Sequence, residues 1–167
     1  MSDAGPKWTP EGEKATELIL TTFRVHGLLL AAGDLLTAEH GLTSARWQVL
    51  GAIAYAQRPL TVPQIARRMG LTRQTVHTTV NHLLADGAVE LVPNEDHRRS
   101  PLVRLTEPGQ AKFRAIDQKQ TGWVNRLAAG LTRSDLDTAV RVLAELSARL
   151  ETDPTQTHDQ EGNDHEP

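Results

Sequence analysis

The chain has 167 residues, no cysteine and a formal net charge of −3. That length suits one domain able to bury a core, and the lack of cysteine excludes both a disulfide framework and a thiol redox sensor. The charge is uneven: residues 44–114 carry ten Lys and Arg against five Asp and Glu, whereas residues 151–167 carry six acids and no Lys or Arg. A basic middle and an acidic end fit a nucleic-acid-contacting module with an acidic appendage.

Residues 1–10 hold Gly, two Pro and little to bury, and are expected to be disordered. The opening MSDAGPKWTPEGEK lacks the basic start and apolar run of a signal peptide. The longest apolar stretch, around residues 28–32, is far too short to span a membrane on its own, so a soluble cytoplasmic protein is expected. A long helix is predicted from residue 11 to about 38. Leu18, Thr22, Val25, Leu29, Ala32 and Leu36 trace one stripe, and Ile19, Phe23, His26 and Leu30 the neighbouring one. A helix apolar over so wide an arc needs more than one partner surface, which makes residues 11–43 an N-terminal dimerisation region.

Gly41 breaks the chain and Thr43 caps a second helix, 44–57, whose apolar face is Trp47, Leu50, Ile53 and Ala54. Arg58-Pro59-Leu60 reads as an extended link. Then comes TVPQIARRMGLTRQTVHTTVNHLLADG, residues 61–87, which reads as two helices joined by a tight turn. Thr61 and Gln64 make a capping box, and Ile65, Ala66 and Met69 the apolar face of the first helix. Gly70 supplies the turn, where a positive φ is expected and a Cβ would clash. Thr72 caps the second helix, Val76, Val80, Leu83 and Leu84 face inward, and Gly87 ends it at C′.

The outward positions near the start of that second helix are Arg73, Gln74, His77 and Thr78, flanked by Thr75. None is acidic, and such side chains reach base edges and phosphates. A polar face alone is what any surface helix has. The small residue at the crossing, the glycine turn, the capped second helix and a basic hairpin downstream make the DNA reading the stronger one.

After Gly87 the apolar period changes from 3.6 to 2, predicting short strands at 88–92 and 102–105. Helix pair plus hairpin is a winged helix, so residues 44–106 are the expected DNA-binding region. In the hairpin loop PNEDHRRSP, Asp96 can hold Arg98 by a bidentate pair and aim it into a narrow minor groove, while Arg99 suits a phosphate. Thr106 caps a helix to about Ala129, Gly130 stops it, and Thr132 with Asp135 starts the last helix, to about Leu150. Residues 107–152 thus complete the dimerisation region with a stripe of Leu136, Val140, Leu143, Ser147 and Leu150. Residues 153–167 are expected to be a disordered acidic tail, in which His158, Asp159, Asp164 and His165 match no metal-ligand spacing.

In element order over residues 15–150, the chain resembles the MarR (multiple-antibiotic-resistance regulator) family. The resemblance is carried by LTSARWQVLGAI, by the helix pair above and by DHRRSPLVRLT, whose Asp96, Arg98 and Leu105-Thr106 fit that family's D-x-R…L-T wing. It implies a mainly α winged helix-turn-helix fold with a two-stranded wing and long terminal dimerisation helices. It further implies a homodimeric regulator, usually a repressor, that binds a pseudo-palindromic operator and in many members is released by a small phenolic or lipophilic effector. The DNA-contacting set is then Thr72, Arg73, Gln74, Thr75, His77, Thr78, Asp96, Arg98 and Arg99. Thr78 and Thr79 stand where an Arg is common in the family. His26 and Trp47 are candidate effector contacts, with an interface or core role the commoner explanation for each. No phosphate loop, zinc motif or nucleophile elbow is present, so neither cofactor nor enzymatic activity is expected. The alternative is a winged-helix architectural or protein-interaction module without operator specificity.

Overall fold

A computed structural model describes residues 7–153. The elements are α1 (Pro10–Thr37), a 3-10 turn (Ala38–His40), α2 (Ser44–Ala56), β1 (Leu60–Thr61), α3 (Val62–Met69), α4 (Arg73–Ala85), β2 (Val89–Val92), β3 (Leu102–Leu105), α5 (Glu107–Leu127) and α6 (Arg133–Thr152). The chain is a winged helix-turn-helix with long flanking helices. The described residues divide into two compact units, one ending at Gly122 and the other beginning at Trp123, with the division inside α5.

Within the first unit α2 is the central element. It meets α1, α3, α4 and β3, so Val49, Leu50 and Ile53 are all buried and no single stripe describes it. The expected face of Trp47, Leu50, Ile53 and Ala54 therefore captures only part of what α2 packs, and Val49 is a core residue it omits. Ile65 and Ala66 from α3, Val76, Val80 and Leu83 from α4, Val103 from β3 and Ile116 from α5 complete the core. Each large aliphatic side chain buried this way contributes about 1.5–3 kcal/mol.

The caps explain the boundaries. Thr61 accepts the Gln64 N–H while the Gln64 side chain accepts the Thr61 N–H, a complete capping box. Thr72 Oγ1 accepts the Thr75 N–H, and Thr132 Oγ1 the Asp135 N–H. At the end of α4 the Ala88 N–H reaches the Leu83 carbonyl and the Gly87 N–H the Leu84 carbonyl, with Gly87 left-handed, a Schellman closure. Gly70 is also left-handed, at φ 62°, but nothing lies within 4 Å of where its Cβ would sit. Backbone conformation alone asks for glycine there, and the expected Cβ clash is corrected.

Three further expectations change. The sheet has three antiparallel strands in the order β1-β3-β2, because the Leu60–Thr61 end of the link pairs with Val103 and Leu102. Two residues are too few to show a period of 2, which hid that strand. The Pro10–His40 helical stretch is long and apolar enough to cross a membrane by length and composition. Its Thr, Gly and His residues interrupt the apolar run without lowering the average much, so counting consecutive apolar residues understated it. Third, α5 ends at Leu127 rather than near Ala129. Of the residues expected to be disordered, 1–6 and 154–167 lie outside the described residues, and Pro10 already belongs to α1.

Candidate nucleic-acid interface

Because Val76, Val80 and Leu83 point into the core, the helical period turns Arg73, Gln74, His77 and Thr78 outward, and all four are exposed. Among the described residues the Arg73 guanidinium and the Gln74 amide have no hydrogen-bond or ion-pair partner, so both are free to donate. Thr75 and Thr78 are committed locally. The Thr72 and Thr75 hydroxyls share a 2.8 Å hydrogen bond, and Thr78 Oγ1 donates to the Gln74 carbonyl at 3.1 Å. The Thr78 hydroxyl therefore offers an incoming group its oxygen and its methyl rather than a proton.

His77 has a partner that its sequence context did not draw attention to. Asn81 Nδ2 lies 3.3 Å from His77 Nδ1, one helical turn on. With the Asn81 amide donating, Nδ1 accepts and the neutral ring carries its proton on Nε2, which makes His77 a single outward donor. The i, i+4 spacing of the pair was the available signal.

Two clefts adjoin this face. One of about 520 Å³ lies between the start of α2 and α4 and is lined by Thr43, Arg46, Gln74, Thr75 and Thr78 among others. Arg46 is anchored there by Asp86 at 3.1 Å. The other, about 220 Å³, brings His77 and Asn81 together with Arg99 and Leu91 from the wing. The helix face and the base of the wing are thus contiguous.

The wing itself is β2 and β3 paired Val89 to Leu105 through Val92 to Leu102, with the Arg104 guanidinium on Glu90 at 2.9 Å across the strands. Its loop is organised by Asn94, whose Nδ2 donates to the Ser100 carbonyl at 2.8 Å and whose Oδ1 accepts the Asp96 N–H at 3.2 Å. The expected Asp96–Arg98 ion pair does not form: among the described residues Arg98 and Arg99 are both exposed or nearly so and carry no ion pair. The Asx turn at Asn94 does the shaping that was assigned to Asp96.

Of the effector candidates, His26 is exposed on α1 and so is no core histidine within the chain. Trp47 is half-buried and lines a groove of about 470 Å³ with Gly51, Tyr55, Met69 and Phe113, while His26 does not line it. Trp47 Nε1 is buried and has no hydrogen-bond partner among the described residues. The tail's His158, Asp159, Asp164 and His165 lie outside them.

Comparison with known proteins bears on this arrangement. The sequence model of the MarR family matches residues 40–100, the span that holds the helix pair and most of the wing. An uncharacterized protein of Mycobacterium tuberculosis, Rv2011c, is 43% identical over 116 residues, covering 70% of this chain and 80% of the relative. The transcriptional activatory protein BadR of Rhodopseudomonas palustris is 31% identical over 111 residues, 64% of this chain and 62% of that protein. Among solved structures, AbsC, a MarR family transcriptional regulator from Streptomyces coelicolor, aligns with a TM-score of 0.74 at 18% identity, over 89% of this chain and 100% of that one. Staphylococcus aureus MarR in complex with salicylate and kanamycin aligns with a TM-score of 0.69 at 16% identity, over 83% and 93%. At those identities the structures speak to the fold.

Proposed function

We propose that the chain is a DNA-binding transcription regulator of the MarR family, whose sequence model matches residues 40–100, and that it acts in the cytoplasm as a homodimer on a pseudo-palindromic operator. The observation that carries the reading is the contiguous face of free donors, Arg73, Gln74 and His77, beside a wing bearing Arg98 and Arg99. In this reading Gln74 and His77 meet base edges in the major groove, and Thr72, Arg73, Thr75 and Thr78 set the register of the helix. Arg98 enters the minor groove, Arg99 contacts phosphate, and Asp96 lies at the loop tip beside them.

A homodimer is supported by apolar surface that none of the described residues covers. Leu20, Phe23, Leu28 and Leu35 of α1 and Val140 and Leu150 of α6 are each more than half exposed. Two-fold symmetry also supplies the second half-site that one winged helix lacks. Sedimentation showing only monomer at micromolar concentration would remove this part.

The protein acts as a repressor that a small lipophilic or phenolic effector releases, with the groove at Trp47 as the effector's seat. Activation is the second reading, favoured by the name of the relative BadR. A reporter behind the operator decides between them, by rising or falling when this protein is deleted.

The experiment that tests the whole is genome-wide mapping of binding sites with purified protein. An inverted repeat with half-sites about 10–10.5 bp apart, or a multiple of that, is expected. Many bound sites with no shared motif would instead favour an architectural module.

A further inference from the structure

We propose that Thr78 does more than set the register of α4. Together with Gln74 it selects adjacent A·T base pairs in each half-site, Gln74 taking an adenine edge and Thr78 the C5 methyl of a neighbouring thymine. This rests on the operator-binding reading above and adds to it the class of base that the helix prefers.

Position on the helix is the first observation. Val76, Val80 and Leu83 are buried, and each residue turns an α-helix by about 100°. Thr78 stands two residues from both valines, about 200° round from each, so it points almost directly away from the core. Gln74 and Asn81 lie on the same stripe, four residues before it and three after, and all three are exposed. Arg73 is the only Lys or Arg in α4. It precedes Val76 by three residues and so lies about 60° from it, on the flank of the helix. The centre of the face thus carries no guanidinium to grip the O6 and N7 of guanine.

Hydrogen bonding is the second. Thr78 Oγ1 donates to the Gln74 carbonyl at 3.1 Å and Thr79 Oγ1 to the Thr75 carbonyl at 3.0 Å. Both protons are spent inside the helix, so neither serves N7 or O6 of guanine or O4 of thymine. What Thr78 has left for a base is its methyl and an oxygen lone pair, and thymine is the base that carries a methyl in the major groove. The Gln74 amide has no partner among the described residues, and a Gln amide meets adenine N6 and N7 as a matched donor and acceptor.

The surroundings are the third. Gln74, Thr75, Thr78 and Thr79 line the cleft of about 520 Å³ beside α4, and Ala45 of α2 lines it too. Methyl-bearing side chains gathered at one cleft favour a methyl partner over a base amine, because apolar surface then leaves water on both sides.

The test is to select preferred duplexes from a random pool with the full-length protein, then replace each thymine of the selected operator singly by deoxyuridine. Deoxyuridine keeps every hydrogen bond of thymine and lacks only the methyl. One thymine in each half-site is expected to be sensitive, its replacement weakening binding by about threefold or more, the worth of one buried methyl. The adjacent pair should carry an adenine whose preference Gln74→Ala relaxes. Thr78→Ser keeps the hydroxyl and drops the methyl. It should bind the thymine operator as weakly as the wild type binds the deoxyuridine one, and be indifferent to the replacement. Thr78→Val keeps a methyl and drops the hydroxyl, and should retain the thymine preference. The deoxyuridine series uses the unaltered protein, so it decides the matter even if a variant does not fold. A selected motif in which no thymine is sensitive to loss of its methyl would overturn the methyl contact while leaving operator binding in place. So would a thymine preference that survives Thr78→Ser and vanishes in Thr78→Val. Selected duplexes with no shared motif would instead remove the operator reading, and this inference with it.

Discussion

Gly109 in the first turn of α5 sits against the backbone of Ala88, just before β2, so closely that a Cβ on it would fall inside the Ala88 carbonyl oxygen, 2.8 Å from the carbonyl carbon and 3.2 Å from Cα. The same carbonyl accepts the Thr106 N–H at 3.2 Å, and the Thr106 hydroxyl donates to the Gly87 carbonyl while capping the Gly109 N–H. The end of the recognition helix, the root of the wing and the start of α5 are fastened at this one point. Gly109→Ala must push backbone against backbone, so we expect a loss of stability of about 1–3 kcal/mol, toward the upper end of that overpacking range. Urea unfolding of the variant measures it, and an unchanged midpoint would show that α5 shifts freely.

Tyr55 and Asp117 tie α2 to α5 by a 2.7 Å hydrogen bond from the phenol to the carboxylate. That bond first, then partial burial and the nearby negative charge, raises the phenol's pKa above its ordinary value of 10.0. A raised pKa in the folded state means that the stabilisation is fully present below pH 10 and is lost as pH climbs through the higher folded value. Tyr55→Phe keeps the edge-to-face ring contact with Phe113, centroids 5.5 Å apart, and removes only the hydroxyl. We expect the wild type to exceed the variant by about 0.5–1 kcal/mol near neutrality, small because the side chain is largely exposed. Comparing their urea unfolding at neutral pH and well above pH 10 should show the gap closing, because Lys titration is common to both and cancels.

The helix pair was legible because its punctuation is local. Thr61 with Gln64, Gly70, Thr72 and Gly87 each act within four residues, and the structure uses every one of them in the expected place. What escaped was set by tertiary packing. β1 exists because Leu60 and Thr61 find β3, the burial of α2 on several sides erases its stripe, and Gln57 turns left-handed where nothing in composition announces it. On the wing, the two side-chain bonds of Asn94 shape the loop, whereas the charge pair read from Asp96 and Arg98 does not form. Charge attraction across an exposed loop is weak beside a satisfied Asx turn.

Operator binding should be strongly salt-dependent. Residues 44–114 hold twice as many basic as acidic residues, and every phosphate they neutralise releases counterions. About 6–10 such contacts cost roughly 10³–10⁵ in affinity between about 50 and 200 mM salt. Fluorescence anisotropy across that range is the check, and a flat response would mean that few phosphates are touched.

The recognition helix and the wing should fail differently when mutated. Among the described residues the Gln74 side chain has no partner, and His77 Nδ1 lies against the Asn81 amide, so in the proposed reading each addresses a single base edge. Gln74→Ala or His77→Ala should cost about 1–3 kcal/mol for the preferred base and relax preference at one position per half-site. Arg98 sits on a loop shaped by Asn94 and is bound to no acid among the described residues, so in the proposed reading it enters a groove as a charge and reads width rather than bases. Arg98→Ala should therefore lower affinity for all sites sharing the flanking minor-groove shape and leave the major-groove preference standing. A matrix of single-base operator substitutions measured for each variant separates the two outcomes. If Arg98→Ala scrambled base preference while Gln74→Ala and His77→Ala left it untouched, the reading element would be the wing and not α4. The free donors on α4 would then be phosphate contacts that only set its register.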